Sequence, residues 1–237
     1  MMVVAQFIQP VALTAGIYFL LQRFHSIGGW TVYEIFLCHA IIGICFSVAT
    51  CFARGFDGFA KMIRTASFDR ILVRPRSTIL QVLGSSFDIK RVGIFINAII
   101  ILIPAIMKVD ISWNISKVIL LINMVIGGSL IFSGVYMLNA TAAFWTTEAL
   151  EITNIFTHGI KEHASYPLDI YPKWITVFFT FIIPFGTINY IPLQFLLGKI
   201  AGSTLLYTLI PLAGSLFIIP CTMLWRFGVR KYSSTGS

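Results

Sequence analysis

Long stretches without a charged side chain constrain this chain more than any other feature. Six such runs occur, at residues 1–22, 35–53, 92–107, 118–147, 174–198 and 200–225. A helix needs roughly 20 residues to cross about 30 Å of hydrocarbon. Five runs are long enough, and the third can borrow a turn at either end. Helices are the expected form, because lipid supplies no water to hydrogen-bond an open sheet edge.

The low charge content supports the same conclusion. Only 11% of the residues are charged, whereas a soluble domain averages about 25%. The first run lacks the basic start and the small-residue cleavage site of a secretory signal, so it is expected to be retained as a span. The sequence predicts an all-α membrane protein with about six transmembrane helices in a single domain, residues 1–237. The expected spans are roughly 2–22, 32–53, 91–108, 117–139, 174–197 and 203–225.

The distribution of basic residues predicts the orientation. Eight of the 17 lysines and arginines lie between Arg54 and Arg91, and three more lie in the tail after Trp225. Short loops rich in Lys and Arg stay in the cytoplasm. The loops are therefore expected to alternate, with residues 25–31, 108–117 and the turn near Lys199 outside, and residues 54–91, 148–173 and the tail inside. The net charge of +8 thus reflects membrane orientation rather than nucleic-acid binding.

The region from residue 146 to residue 198 fits this scheme less well. Residues 152, 155, 156 and 160 are apolar at helical spacing, which predicts an amphipathic helix at the membrane face or one that dips into protein-lined space. Pro184 and Pro192 interrupt the run that begins at Trp174. That run is either a clean span or a re-entrant pair of short helices before the last span.

Catalytic chemistry is not expected of this chain. No phosphate-binding loop of the GxxxxGK[ST] type occurs. In "HGIKEH", His158 and His163 would lie about 140° apart on a helix, so they would not share a metal. Glu34 and His39, in or beside the second span, are candidates either for a substrate path or for a structural polar role, since ionisable groups inside a membrane are often functional.

The loop after the second span has an unusual composition. "SFDRILVRPRSTILQ", residues 67–81, places Asp69, Arg70, Arg74 and Arg76 around Pro75. Proline interrupts a helix and biases the preceding residue toward extended geometry. Residues 55–66 before it can form an amphipathic helix. Basic residues here could dock a partner, or could do no more than enforce orientation and touch anionic lipid headgroups.

Two proline-anchored blocks resemble one known family. "SFDRILVRP" resembles the cytoplasmic loop of permease subunits of bacterial ATP-binding cassette exporters of the second type, the ABC-2 family, although Ser67 stands where a glycine is usual. The block "ASYPLDIYPKWITVFFTFIIPFGTINYIPLQFLLG" is similar to a later motif of the same family. The matching positions there are Tyr166, Pro167, Leu168, Pro172, Thr180, Pro184, Phe185 and Pro192.

The resemblance implies the transmembrane half of an ATP-driven exporter of amphipathic or drug-like compounds in the bacterial inner membrane. Such a permease works with a second permease chain, identical or sister, and with a cytosolic ATPase dimer that binds ATP and Mg²⁺; this chain itself would bind no cofactor. The resemblance places ATPase coupling at Phe68, Asp69, Arg70, Arg74, Pro75 and Arg76, in a coupling loop over residues 54–90. Glu148 and Glu151 are expected to make contacts at the cytosolic face. The alternative is a membrane scaffold or assembly factor without transport.

Overall fold

The computed structural model describes residues 26–86, 92–146 and 149–233 together with Gly16 and Phe19, and for residues 149–156 it describes the backbone alone. The described residues are helical and contain no β-strand, so the all-α prediction is confirmed. Apart from Gly16 and Phe19, the first predicted span, residues 2–22, lies outside the described residues, as does Glu148.

The helices fall into three groups along the chain. The first helix, α1, spans Val32–Asp57 and is followed by three short ones, α2 (Phe59–Arg64), α3 (Asp69–Leu72) and α4 (Thr78–Leu83). Three longer ones follow, α5 (Val92–Lys108), α6 (Ile115–Ala142) and α7 (Ala149–Ala164). In the last part of the chain, α8 (Lys173–Val177) continues into a π-helical turn (Phe178–Ile182). Three helices follow: α9 (Ile191–Leu196), α10 (Thr204–Gly214) and α11 (Ile218–Lys231). Short 3-10 turns lie at Leu168–Ile170, Phe185–Thr187 and Ser215–Phe217.

By length and apolar character, three helical stretches could cross a membrane: Val32–Arg64, Ile115–Ala142 and Thr204–Lys231. The apolar helix α5 is shorter, and the pair Lys173–Ile182 and Phe185–Leu196 is bent by 81° at its break. Three spans, or four if the bent pair counts as one, are therefore seen among the described residues. The total of six stays a prediction.

Helix α1 lies at the centre of the bundle. It packs along both α5 and α6, and α6 packs in turn against α10 and α11. Lipid tails are as apolar as leucine, so helices associate in a membrane mainly through close packing of small residues. Gly127 in α6 meets the backbone carbonyl of Pro211 in α10, and Gly128 meets the side chain of Cys45 in α1. Adjacent glycines thus allow α6 to approach two neighbouring helices at once.

One end of the bundle is held together by contacts of Trp30, just before α1. The Trp30 Nε1–H donates to both carboxylate oxygens of Asp169, at 2.9 and 3.0 Å. The Lys199 ammonium lies 3.9 Å from the centroid of the Trp30 ring and 2.9 Å from Glu34 Oε2. We call this group the Trp30 cluster, and the end that it occupies the Trp30 end. The start of α1 and the residues around 169 and 199 therefore share one end.

This arrangement corrects two predictions. Residues 148–173 were expected on the face opposite residues 25–31, yet Asp169 contacts Trp30, and a contact of this kind cannot bridge about 30 Å of hydrocarbon. Residues 174–197 were expected to cross, yet the residues at both ends of this segment, Asp169 and Lys199, lie in the Trp30 cluster. The bent pair therefore leaves the Trp30 end and returns to it, which is the re-entrant alternative. Pro184 stands at the break between its two arms.

Helix α7 lies alongside α1 in the opposite direction. His158 contacts Phe46 with ring centroids 5.6 Å apart, and Asn189 Nδ2 donates both to the carbonyl of Ala164 and to Cys38 Sγ. His158 of α7 therefore lies beside Phe46 of α1, and Ala164, six residues later in α7, lies near Cys38, eight residues earlier in α1. The two helices run antiparallel. At 1.5 Å per residue, the 16 residues of α7 extend about 24 Å. The part of this helix from Thr157 to Ala164 therefore packs against the bundle, with Thr157, Ile160 and Ala164 buried, rather than lying flat on the membrane face.

Replacing Gly127 with alanine tests the close approach of α6 to α10. The new Cβ would overlap the Pro211 carbonyl, so we expect the free energy of unfolding to fall by about 1–3 kcal/mol, measured as a lower thermal-unfolding midpoint in detergent. Gly159→Ala in α7 is the matched control, because no described atom beyond the surrounding backbone of its own helix lies within 4 Å of the position of its Cβ. It should be neutral, or stabilising by up to about 1 kcal/mol. Equal midpoints for the two variants would contradict this packing.

Candidate docking site at the proline-centred loop

The segment after α1 folds into three short helices because its sequence interrupts each of them. Thr65 Oγ1 donates to the Lys61 carbonyl at the end of α2, and Ala66 then takes a left-handed conformation with φ of 51°. Helix α3 ends before Pro75, and α4 begins at Thr78. The amphipathic helix predicted over residues 55–66 appears as the last turn of α1 followed by α2. Phe59, Ala60 and Ile63 are buried there, while Lys61 and Arg64 are exposed.

Two contacts fix the shape of this segment. Gln81 Nε2 donates to the carbonyls of Ile71, at 3.2 Å, and Arg76, at 3.0 Å, and so joins α4 to α3 across the proline turn. Gly55 of α1 lies so close to the carbonyl of Val82 that any Cβ would overlap it. The proline turn is therefore attached to α1 through α4 rather than hanging from the bundle.

A groove of about 950 Å³ opens on the outer side of this turn. We call it the loop groove; its lining residues are Ile71, Arg74, Pro75, Arg76, Ser77, Leu80, Gln81, Gly84 and Ser85. Arg74, Pro75 and Arg76 are exposed, and Arg70 is exposed nearby. Among the described residues, no carboxylate lies within 4 Å of these three guanidinium groups. The groove therefore presents exposed arginines, whose guanidinium groups bind acidic groups strongly.

Apolar side chains accompany these arginines at the surface. Val73 is 84% exposed and Leu80 is 68% exposed. Large exposed apolar side chains rimmed by arginine are typical of protein interfaces rather than of a surface that only faces water. The combination favours a protein partner whose surface is acidic and partly apolar.

Phe68 differs from the other predicted coupling residues, because it is fully buried. Its ring lies 4.9 Å from Phe59, 5.8 Å from Phe144 and 5.3 Å from Tyr232 by centroids. Trp225 packs at the same place, 4.7 Å from Phe59. We call Phe59, Phe68, Phe144, Trp225 and Tyr232 the aromatic cluster. Any part that Phe68 takes in coupling is therefore through packing, not through direct contact with a partner.

Asp69 connects the loop to the end of the last helix. Its Oδ1 accepts a hydrogen bond of 2.9 Å from the Tyr232 hydroxyl, and Trp225 Nε1 donates to Thr78 Oγ1 at 3.1 Å. The aromatic cluster and these two hydrogen bonds join α2, α3 and α4 to the ends of α6 and α11. The sequence predicted the loop but not these partners, because Phe144, Trp225 and Tyr232 lie far away along the chain and carry no local signal.

The remaining predicted residues lie away from the loop groove. Glu34 completes a capping box with Thr31 at the start of α1 and pairs with Lys199, which is a structural role at the Trp30 end. His39 is buried in α1, and its Nδ1 has no hydrogen-bond partner among the described residues. Glu151 falls in the first turn of α7. His158 and His163 contact different aromatic rings, Phe46 and Tyr171.

Comparison with known families agrees with the resemblance seen in the sequence. Residues 7–236 match the model of a family described as ABC-2 family transporter protein. The chain belongs to the ABC-2 transporter family. A search of curated proteins found no match.

Membership of the ABC-2 family agrees with a chain that has both a membrane part and a loop that could contact another subunit. ABC-2 permeases are membrane components that are generally not catalytic and normally work with an ATPase subunit. In this member of the family, the apolar helices form the membrane part, and the loop groove lies at the end of α1 opposite the Trp30 cluster. The 26 residues of α1, about 39 Å in length, separate the two ends.

Phe68→Ala and Val73→Ala separate packing from docking. Loss of the buried Phe68 ring should lower the free energy of unfolding by about 3–5 kcal/mol, because its neighbours in the aromatic cluster cannot close the cavity. Val73 is exposed, so its truncation should change stability by no more than about 0.5 kcal/mol. Thermal unfolding in detergent measures both. A normal midpoint for the Phe68 variant would show that the aromatic cluster does not hold the loop.

Proposed function

We propose that this chain is the permease subunit of an ATP-driven exporter that moves an amphipathic or drug-like compound out of a bacterial cell. The observation that carries the proposal is the loop groove, whose exposed arginines and exposed apolar side chains suit a protein partner. That partner is a cytosolic ATPase dimer, which binds ATP and Mg²⁺. A second permease chain, identical or sister, completes the membrane part.

The proposed orientation has six crossings of the inner membrane in one domain, residues 1–237. The first crossing lies within residues 2–22. Helices α1, α5, α6 and α7 supply the next four, and the stretch from α10 to α11 supplies the last. Helix α7 takes the place of residues 174–197, because it runs beside α1 and the bent pair returns to the Trp30 end. The loop groove and Glu151 then face the cytoplasm, as does the basic end of α11.

The proposed mechanism is alternating access. ATP binding closes the two ATPase subunits, and their movement displaces the segment from α2 to α4. The aromatic cluster is tightly packed, and packed interiors transmit displacement rather than absorb it. Movement of the loop therefore passes to the ends of α6 and α11, and the cavity between the two permease chains changes its opening. Arg70, Arg74 and Arg76 bind the partner, while Phe68 and Asp69 pass on the movement.

The variant Arg74→Glu/Arg76→Glu tests docking. Reversing both charges should reduce co-purification of an ATP-binding cassette ATPase with the tagged chain by at least tenfold, because each acid would face an acidic partner surface. The measurement is mass spectrometry of complexes purified from membranes of cells that carry the gene, together with efflux of an amphipathic dye. Lys108→Glu is the matched control, since Lys108 is an exposed cation in the last turn of α5, at the end far from the loop; it should retain the ATPase.

The outcome also separates the two candidate functions. An exporter requires that the ATPase co-purify with the unaltered chain and that dye efflux fall with the loop variant. If no ATPase accompanies the unaltered chain and efflux does not depend on it, the non-transporting scaffold is the better account. Normal ATPase recovery and efflux with the Arg74/Arg76 variant would remove the loop groove from the mechanism.

A further inference from the structure

A second groove, of about 510 Å³, lies on the side of the bundle between α1, α6 and α11. We call it the lateral groove. Phe52, Ile126 and Leu130 are among its apolar walls, and Ile79 and Leu83 of α4 close one end. A volume of this size falls within the usual 300–1,000 Å³ of small-molecule sites. Phe52 is 56% exposed and Ile126 46%, so the groove is open to the side.

The walls of the lateral groove suit a hydrocarbon. Its polar side chains are Ser129, Ser133 and Thr222. Each hydroxyl donates to a carbonyl of its own helix, at 2.7 to 2.8 Å. These hydroxyl hydrogens are therefore already used within the helices. A ligand oxygen that needs a hydrogen-bond donor, such as that of a phosphate or carbonyl group, would lose hydrogen bonds to water there without replacing them.

The position of the lateral groove along the bundle indicates which membrane leaflet its opening faces. It begins near the middle of α6, at Val125, and ends at α4 and the last turns of α1. The side opening thus lies in the half of the bundle nearest the loop. An apolar group that entered from the bilayer would come from the leaflet on the loop side.

Two arginines follow the lateral groove on α11. Arg226 and Arg230 come four and eight residues after Thr222, so they lie one and two turns nearer the loop end on roughly the same side of the helix. The bond from Trp225 to Thr78 holds this part of α11 against the start of α4. Both arginines are exposed, and among the described residues neither has a carboxylate within 4 Å. Two exposed arginines therefore lie on α11 one and two turns beyond Thr222 of the groove wall.

We propose that the lateral groove is a binding site for an anionic phospholipid of the leaflet on the loop side. One acyl chain lies between Phe52, Ile126 and Leu130, and the phosphate is bound by Arg226 and Arg230. Arginine suits this role because its guanidinium forms paired hydrogen bonds with phosphate oxygens. The site goes beyond the proposed transport function and requires neither the ATPase nor a second permease chain.

The lipid site and the loop groove share helix α4. Ile79 and Leu83 line the lateral groove, whereas Leu80 and Gln81 line the loop groove. A bound acyl chain therefore packs against the same short helix that shapes the docking surface. Because coupling between two sites is reciprocal, a lipid that favours one position of α4 also alters the affinity of the loop groove for its partner.

Photo-cross-linking in nanodiscs tests the site. The purified full chain is reconstituted in phosphatidylcholine with a trace of probe lipid that carries a diazirine in the middle of one acyl chain, with either a phosphatidylglycerol or a phosphatidylcholine headgroup. Labelled peptides are identified by mass spectrometry. We expect the phosphatidylglycerol probe to label the peptides around Phe52 and Leu130 at least fivefold more than the phosphatidylcholine probe, while both label the exposed α5 face around Ile100 equally.

Variants assign the headgroup contact. Arg226→Gln and Arg230→Gln should each reduce the headgroup preference about fivefold. Lys231→Gln, which removes the same charge from another side of α11, should leave the preference unchanged. Equal labelling of the lateral groove by both probes would mean ordinary contact with bulk lipid and would overturn the proposal. Labelling of the α5 face without the groove would mean that protein covers the groove, and would overturn it as well.

Discussion

The indole of Trp30 determines the path of the second half of this chain. Its N–H holds Asp169 and its ring face holds Lys199, so the 29 residues between these two positions must start and finish at the same end of the bundle. A cation over an aromatic face is worth about 0.5–1 kcal/mol at exposed sites and about 2 or more when desolvated, and the Glu34 carboxylate adds a further partner for Lys199. The path of the last helices follows: α10 begins at the Trp30 end, and α11 finishes at the loop.

The course of α10 and α11 explains why the segment from α2 to α4 is held against the helix bundle. Because α11 ends beside α2 and α3, Trp225 and Tyr232 can join Phe59, Phe68 and Phe144 in one aromatic cluster. Aromatic pairs contribute about 0.5–1.5 kcal/mol each beyond the area that they bury, so a cluster with several such pairs resists separation. Arg226 and Arg230 lie on α11 beyond the loop-side end of the lateral groove for the same reason. The docking surface, its attachment and the proposed lipid site all depend on where the last helix runs.

The sequence predicted the helical class and the loop, since both follow from local patterns. Uncharged runs require helices in lipid, and proline among arginines requires a turn. The sequence did not determine which runs cross. Residues 174–197 are as free of charge as a membrane-spanning helix. Only the contacts of Asp169 and Lys199 with Trp30 show that this segment starts and ends at the same end of the bundle. For helix α7, the apolar spacing left open a position at the membrane face or in protein-lined space. Its Lys161 and Glu162 form an ion pair of 2.7 Å, which lowers the cost of packing beside α1.

The sequence predicted the exposed residues of the candidate docking site but not the buried residues that support it. Arg70, Arg74, Pro75 and Arg76 are exposed around the loop groove, as a charged loop suggests. Phe68 lies one residue before this charged stretch, yet it is buried, because three of its ring partners come from segments 76 to 164 residues away. Pattern reasoning identifies residues that water or a partner can reach, whereas long-range packing decides which neighbouring residues turn inward.

Cysteine labelling of sidedness tests the central claim most directly. In a background without native cysteines, Ser26→Cys, Lys173→Cys and Ser77→Cys are each exposed to a membrane-impermeant maleimide on intact cells. The account predicts labelling of positions 26 and 173 in intact cells and labelling of position 77 only after permeabilisation. If position 173 behaved like position 77, the bent pair would cross the membrane, and the path assigned to the last helices would be wrong.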